Sequence, residues 1–168
     1  IHFCLGARKG ETLSKPQLND WTFTVDLDLG TKRYSVTRNT SDMNRIVING
    51  DCSDWPIKPE KDKKTGEQVI SEKDWNRVLG TLMFGLQTSY PDMKYVPTFR
   101  SLISYFVRRN GPRGGFLNPF QQYKAQQEWD KQVNNAFLLD LGWEYASRWQ
   151  ILKDRQKVID QIKQEAKS

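Results

Sequence analysis

Trp21-Thr22-Phe23-Thr24-Val25-Asp26-Leu27-Asp28-Leu29 alternates apolar and polar residues without a break. Successive strand side chains point to opposite faces, so the spacing predicts a strand with one buried and one solvated face. Gly30-Thr31-Lys32 makes a turn, and Tyr34 and Val36 carry the alternation to Arg38 in a second strand. Turn chemistry from Asn39 to Asn44 then separates it from Ile46-Val47-Ile48, a short third strand closed by Asn49-Gly50. Three consecutive strands with short turns imply an antiparallel meander, because parallel neighbours need long crossovers.

Working outward, Ile1-His2-Phe3-Cys4-Leu5-Gly6 reads as the last turns of a helix stopped by glycine. The polar stretch from Ala7 to Asn19 reads as a loop. On the other side, residues 51–70 carry Trp55-Pro56, Lys58-Pro59 and a lysine-rich tip from Lys61 to Gly66, which together predict a flexible linker.

Helices follow. Ser71 precedes Glu72 and Asp74 as an N-terminal cap, and Trp75, Val78, Leu79, Leu82, Met83 and Leu86 recur at helical spacing. Thr98 caps a second helix through Leu102, Ile103, Tyr105, Phe106 and Val107, expected to stop at Arg108-Arg109-Asn110-Gly111. A third is expected from Phe120 or Gln127 to Leu141. From Trp143 a thin apolar seam of Tyr145, Trp149, Leu152, Ile159 and Ile162 in a polar helix predicts the root of a coiled coil. The expected class is α+β, organised as a meander segment 1–50, the linker, a helical subdomain 71–142 and a coiled-coil root 143–168.

The 168 residues suffice for one sizeable core, and six Trp, eight Phe and six Tyr argue against wholesale disorder. No apolar run reaches the ~20 residues of a membrane-spanning helix, so no membrane partner is expected. Cys4 and Cys52 stand far apart with no metal-ligand spacing, and are expected as buried free thiols in a reducing, cytoplasmic setting. The net charge of +6 favours association with phosphate backbones or acidic partners.

Taken in order, a helix ending Phe3-Cys4-Leu5-Gly6, a basic loop, a meander containing Tyr34-Ser35-Val36-Thr37-Arg38 and Ile48-Asn49-Gly50, helices and a coiled-coil pattern resemble one arrangement. It is the first lobe of ATP-binding-cassette ATPases of the SMC and double-strand-break-repair type. The segments from Thr98 to Arg109 and from Gly115 to Phe120 are similar to a branch of these ATPases in bacterial and archaeal three-component systems, proposed to act in defence against foreign DNA. In such ATPases the phosphate-binding loop begins the helix that ends in Phe-x-Leu-Gly, which here would lie before Ile1. The sequence contains no Gly-x-x-x-x-Gly-Lys-Ser/Thr, so the expectation is a head fragment with no turnover of its own. ATP and Mg2+ are implied for the intact parent and no cofactor for this chain. The implied partners are the remainder of the head, DNA, and a second copy through the terminal helix.

The resemblance implies that Arg8 and Lys9 lie near the nucleotide and that Gln121 or Gln122 is the lobe-linking glutamine. Arg38 stands where the family often shows arginine, and a surface ion pair would account for it equally. Lys61, Lys63, Lys64, Arg108, Arg109 and Arg113 are the candidates for phosphate-backbone contact, on charge alone. Two other classes compete with the ATPase fragment: a stand-alone basic nucleic-acid- or protein-binding module, and a dimerising scaffold. A fragment lacking neighbouring strands is also expected to expose apolar sheet edge and to self-associate.

Overall fold

A computed structural model describes residues 1–8, 11–108, 118–123 and 125–166. The class is α+β, and the chain divides into two compact units, Ile1–Ser89 and Tyr90–Ser168.

In the first unit the alternating stretch forms β1 (Thr22–Leu29), followed by β2 (Lys32–Asn39) and β3 (Arg45–Asn49) as an antiparallel meander. Val25 stands opposite Val36, and Val36 opposite Ile48, so one face gathers the apolar side chains. Val36, Ile46 and Ile48 are buried there. The other face is a solvated ladder in which the Thr24 and Thr37 hydroxyls meet at 2.9 Å and the Ser35 hydroxyl donates to Asp26.

The sheet is larger than the meander. Residues 51–70, expected as a flexible linker, contribute β4 (Glu60–Lys61) and β5 (Gln68–Ser71), giving the strand order β1-β2-β3-β5-β4. Two features hold this segment. Arg45 donates to Asp62 at 3.2 Å and Glu67 at 2.7 Å, stapling the β4–β5 hairpin, whose turn closes on Gly66 at φ +74°. Trp55 is buried, and its indole N–H donates to the Tyr34 hydroxyl, which donates to the Asp51 carbonyl. Proline and lysine content describes the segment's surface, whereas one tryptophan fixes its course.

Helix α1 (Glu72–Phe84) begins where expected, the Ser71 hydroxyl accepting the Asp74 N–H at 3.1 Å, and ends on left-handed Gly85. Trp75, Val78 and Leu79 are fully buried, and Trp55 stacks on Trp75 at 5.4 Å. Leu82 and Met83, expected on the same buried stripe, are instead exposed. The helix there approaches the β1–β2 turn, and the two side chains line an open cleft of about 480 Å³ with Leu29, Tyr34 and Trp55.

The second unit is helical: α2 (Phe99–Phe106), α3 (Glu128–Leu138) and α4 (Trp143–Glu165). Thr98 caps α2 through the Ser101 N–H, but α2 stops at Phe106, short of the expected basic and glycine stop. Of the two starts expected for the third helix, the later is the one formed. Its end is a Schellman turn, with Leu141 N–H bonded to the Ala136 carbonyl, Asp140 N–H to Phe137, and Asp140 at φ 53°. Trp143 and Ser147 of α4 are buried, whereas every described residue from Arg155 onward is exposed. Among the described residues no second helix covers that stretch.

Candidate functional site

The residues implied to lie near nucleotide sit at the end of the N-terminal turn, whose geometry is closely specified. Ala7 N–H donates to the His2 carbonyl and Gly6 N–H to Phe3, with Gly6 at φ +77°, so residues 2–6 form a turn with the bonding pattern of a Schellman motif, where the sequence led one to expect the last turns of a helix. Glycine is required twice over: a Cβ here would come within 2.6 Å of the Asn76 side chain, and the positive φ disfavours any other residue.

A helix end leaves carbonyls without partners and carries a partial negative charge. Three side chains meet that demand. Arg38 Nη1 donates to the Phe3 and Ala7 carbonyls at 2.7 Å each, while its Nε and Nη2 bind the Met43 carbonyl. The Trp75 indole N–H donates to the Cys4 carbonyl at 2.9 Å, and the Asn76 amide to Gly6 at 3.2 Å. The Arg38 guanidinium also lies 4.4 Å from the centre of the Phe3 ring.

Arg38 is 2% exposed, and no carboxylate pairs with it among the described residues. Burial pulls its pKa below the usual value, partly offset by the Glu72 carboxylate. An arginine remains charged even so. The alternative of a surface ion pair for Arg38 is thereby overturned: it is a buried clamp on main-chain carbonyls. Sequence reasoning missed the clamp, and it missed Asn76 and the polar role of Trp75. No local signal marks them, since Trp75 and Cys4 are 71 positions apart.

Beyond the clamp, Arg8 is exposed and bonds to no described residue, while Lys9 lies outside the described residues. Gln121 and Gln122 belong to the other unit. Gln122 donates to the Ser101 carbonyl at 2.7 Å and its N–H binds the Gln126 side chain, which ties Gln122 and Gln126 to α2. Gln121 accepts a long contact of 3.4 Å from Asn118.

The phosphate-contact candidates separate into two kinds. Arg108 donates to the Tyr105, Asn118 and Pro119 carbonyls at 2.7, 2.8 and 2.6 Å, so its guanidinium is engaged with main chain. Arg109 and Arg113 lie outside the described residues. Lys61, Lys63 and Lys64 are exposed on the β4–β5 hairpin and unpaired among the described residues. Of the acidic residues on that hairpin, Asp62 and Glu67 are already engaged by Arg45. Main-chain N–H groups of Thr65 and Lys64, then Arg45, hold the Asp62 carboxyl below its usual range, and Arg45 and then Thr65 do so for Glu67.

Both cysteines are free and buried, as expected. Burial raises the Cys4 thiol, and burial with Asp51 and Asp54 pushes Cys52 up to about 11, so neither is a thiolate at neutral pH. Among the described residues no group of three His, Cys, Asp or Glu side chains is placed to hold a metal ion, and no helix is long and apolar enough to cross a membrane. The sequence has no phosphate loop, so the described residues supply no Gly-rich nest and lysine of the kind that holds ATP phosphates.

No known family, curated protein or solved structure matches the chain.

Proposed function

We propose that the chain is part of an SMC-like ATP-binding-cassette ATPase head, catalytically silent alone, whose parent handles DNA in the cytoplasm. The observation that carries this reading is the clamped turn. Three side chains from β2 and α1 converge on the carbonyls of one turn and fix the course of the chain there. Such rigidity suits a helix whose far end must present a phosphate loop accurately. ATP and Mg2+ would then bind through residues of the parent outside this chain, with Arg8 and Lys9 beside them.

Reading the gene upstream of the Ile1 codon tests this. A Gly-x-x-x-x-Gly-Lys-Ser/Thr motif is expected within a few tens of residues, in frame, at the start of the same helix. Its absence removes the ATPase reading and leaves a stand-alone basic binding module or a scaffold.

The hairpin lysines support DNA as a partner in either case, through sequence-independent contact with phosphates. Binding of a duplex oligonucleotide should weaken steeply with salt. Replacing Lys61, Lys63 and Lys64 by Gln should lessen the log–log salt slope by about 3, near 0.9 per lost phosphate contact. A flat salt response, or a slope unchanged by the triple substitution, counts against DNA contact at this hairpin.

A further inference from the structure

Helix α1 keeps its apolar stripe to its last turn, but the fold leaves that turn uncovered. Leu82 and Met83 are 40 and 43% exposed, whereas Trp75, Val78 and Leu79 on the same stripe are fully buried. The two exposed side chains line the open cleft of about 480 Å³ together with Leu29, at the end of β1, and the buried rings of Tyr34 and Trp55. Single exposed apolar residues are ordinary, but these continue a core stripe and gather in one concavity. Its volume suits a few side chains or a small ligand, and an unbranched methionine adapts its wall to what enters.

The charge around the cleft selects the occupant. Asp28 and Asp54 line it and are exposed. Lys32 lines it too, but its ammonium is held by Asp51 at 2.8 Å and Asp54 at 3.1 Å, one cation against two carboxylates. Asp28 pairs with no described cation. Leu82 and Met83 also belong to the C-terminal turn of α1, where a helix carries partial negative charge, and that turn holds no basic residue. A phosphate or a carboxylate entering here would meet like charge. A lysine or arginine side chain meets both demands, because its methylene stem packs on apolar surface while its head reaches a carboxylate. The chain's own lysine-rich tip, Lys61 to Gly66, has no aliphatic hydrophobic residue to fill the walls, so a second copy does not supply the occupant through it.

We propose that this cleft docks a short segment of a partner protein that presents Leu- or Ile-type side chains beside Lys or Arg. The inference uses only residues of the first unit and stands apart from the ATPase reading.

The test titrates the full chain with three fluorescein-labelled peptides, built on repeats of Leu-Leu-Arg-Arg, Leu-Leu-Glu-Glu and Ser-Ser-Arg-Arg. In the first, either face of the extended peptide shows both an aliphatic and a cationic side chain. The whole chain carries a net charge of +6, so non-specific attraction would favour the Glu peptide. The Leu/Arg peptide should instead bind at least about tenfold more tightly than either comparator at low salt, and its lead over the Glu peptide should narrow near about 0.5 M salt. Asp28→Asn should weaken the Leu/Arg peptide about two- to fivefold without moving the melting temperature, since that carboxylate is exposed and unpaired among the described residues. The double variant Leu82→Ser, Met83→Ser should weaken it at least about tenfold. Equal affinity for the Arg and Glu peptides, a preference for Glu, Ser/Arg binding as tight as Leu/Arg, no effect of Asp28→Asn, or a dimer in sedimentation equilibrium that the double variant dissolves would each overturn the proposal.

Discussion

Arg38→Met should lower the unfolding free energy of the first unit by about 3–5 kcal/mol, measured by urea denaturation followed through tryptophan fluorescence. The size follows from what the substitution leaves behind. When a buried ion pair is replaced by apolar residues, both polar partners disappear and the change can be nearly neutral. Arg38 differs, because its partners are the carbonyls of Phe3, Ala7 and Met43, which no side-chain substitution removes. Each carbonyl left dry costs about 1–3 kcal/mol, although some will regain water at the unit's rim. Arg38→Lys keeps the charge but not the planar fork, and should fall between the two. Hydrogen exchange supplies the local readout: the Ala7 and Gly6 amides should lose protection before those of β2 and β3. A loss below about 1 kcal/mol would mean that water replaces the guanidinium freely, and the clamp would then be incidental.

Trp75→Ala comes next, with an expected loss of about 3–5 kcal/mol from the cavity alone. Trp75 is fully buried, stacks on Trp55 and reaches the Cys4 carbonyl. Trp55 in turn donates to the Tyr34 hydroxyl, so one substitution loosens α1, the 51–55 segment and the N-terminal turn together. Trp75→Phe separates the contributions: it retains most of the apolar burial and loses the indole N–H, for about 1–3 kcal/mol. If Phe and Ala cost the same, the hydrogen bond to Cys4 dominates and the packing account is wrong. Arg38 and Trp75 serve the same turn, so the double variant should cost less than the sum of the singles.

Much of this architecture was legible locally. The alternation from Trp21 to Leu29, the caps at Ser71 and Thr98 and the glycine stop at Gly6 all act within a few residues, where backbone geometry and side-chain period decide the outcome. The segment 51–70 was illegible for the opposite reason. Its four-residue strand β5 exists because it pairs with β3, and Trp55 is ordered because Tyr34 and Trp75 receive it. Composition cannot report partners that arrive from elsewhere in the chain. The arginines make the same point more sharply. Arg38 and Arg108 read as surface charges because charge is visible in sequence, whereas the carbonyl clusters that occupy them are created by folding. Lys61, Lys63 and Lys64 remained exposed while Asp62 and Glu67 between and beside them paired with Arg45.

The amino-acid sequence by itself determined the α+β class, the antiparallel meander, the helix boundaries set by capping side chains, and the absence of a phosphate loop from this chain. Only tertiary structure decided which charges are free and which tryptophans are structural. The division has a physical cause. Secondary structure answers to neighbours a few residues away, whereas a charge or an aromatic ring takes its role from whatever distant backbone it meets.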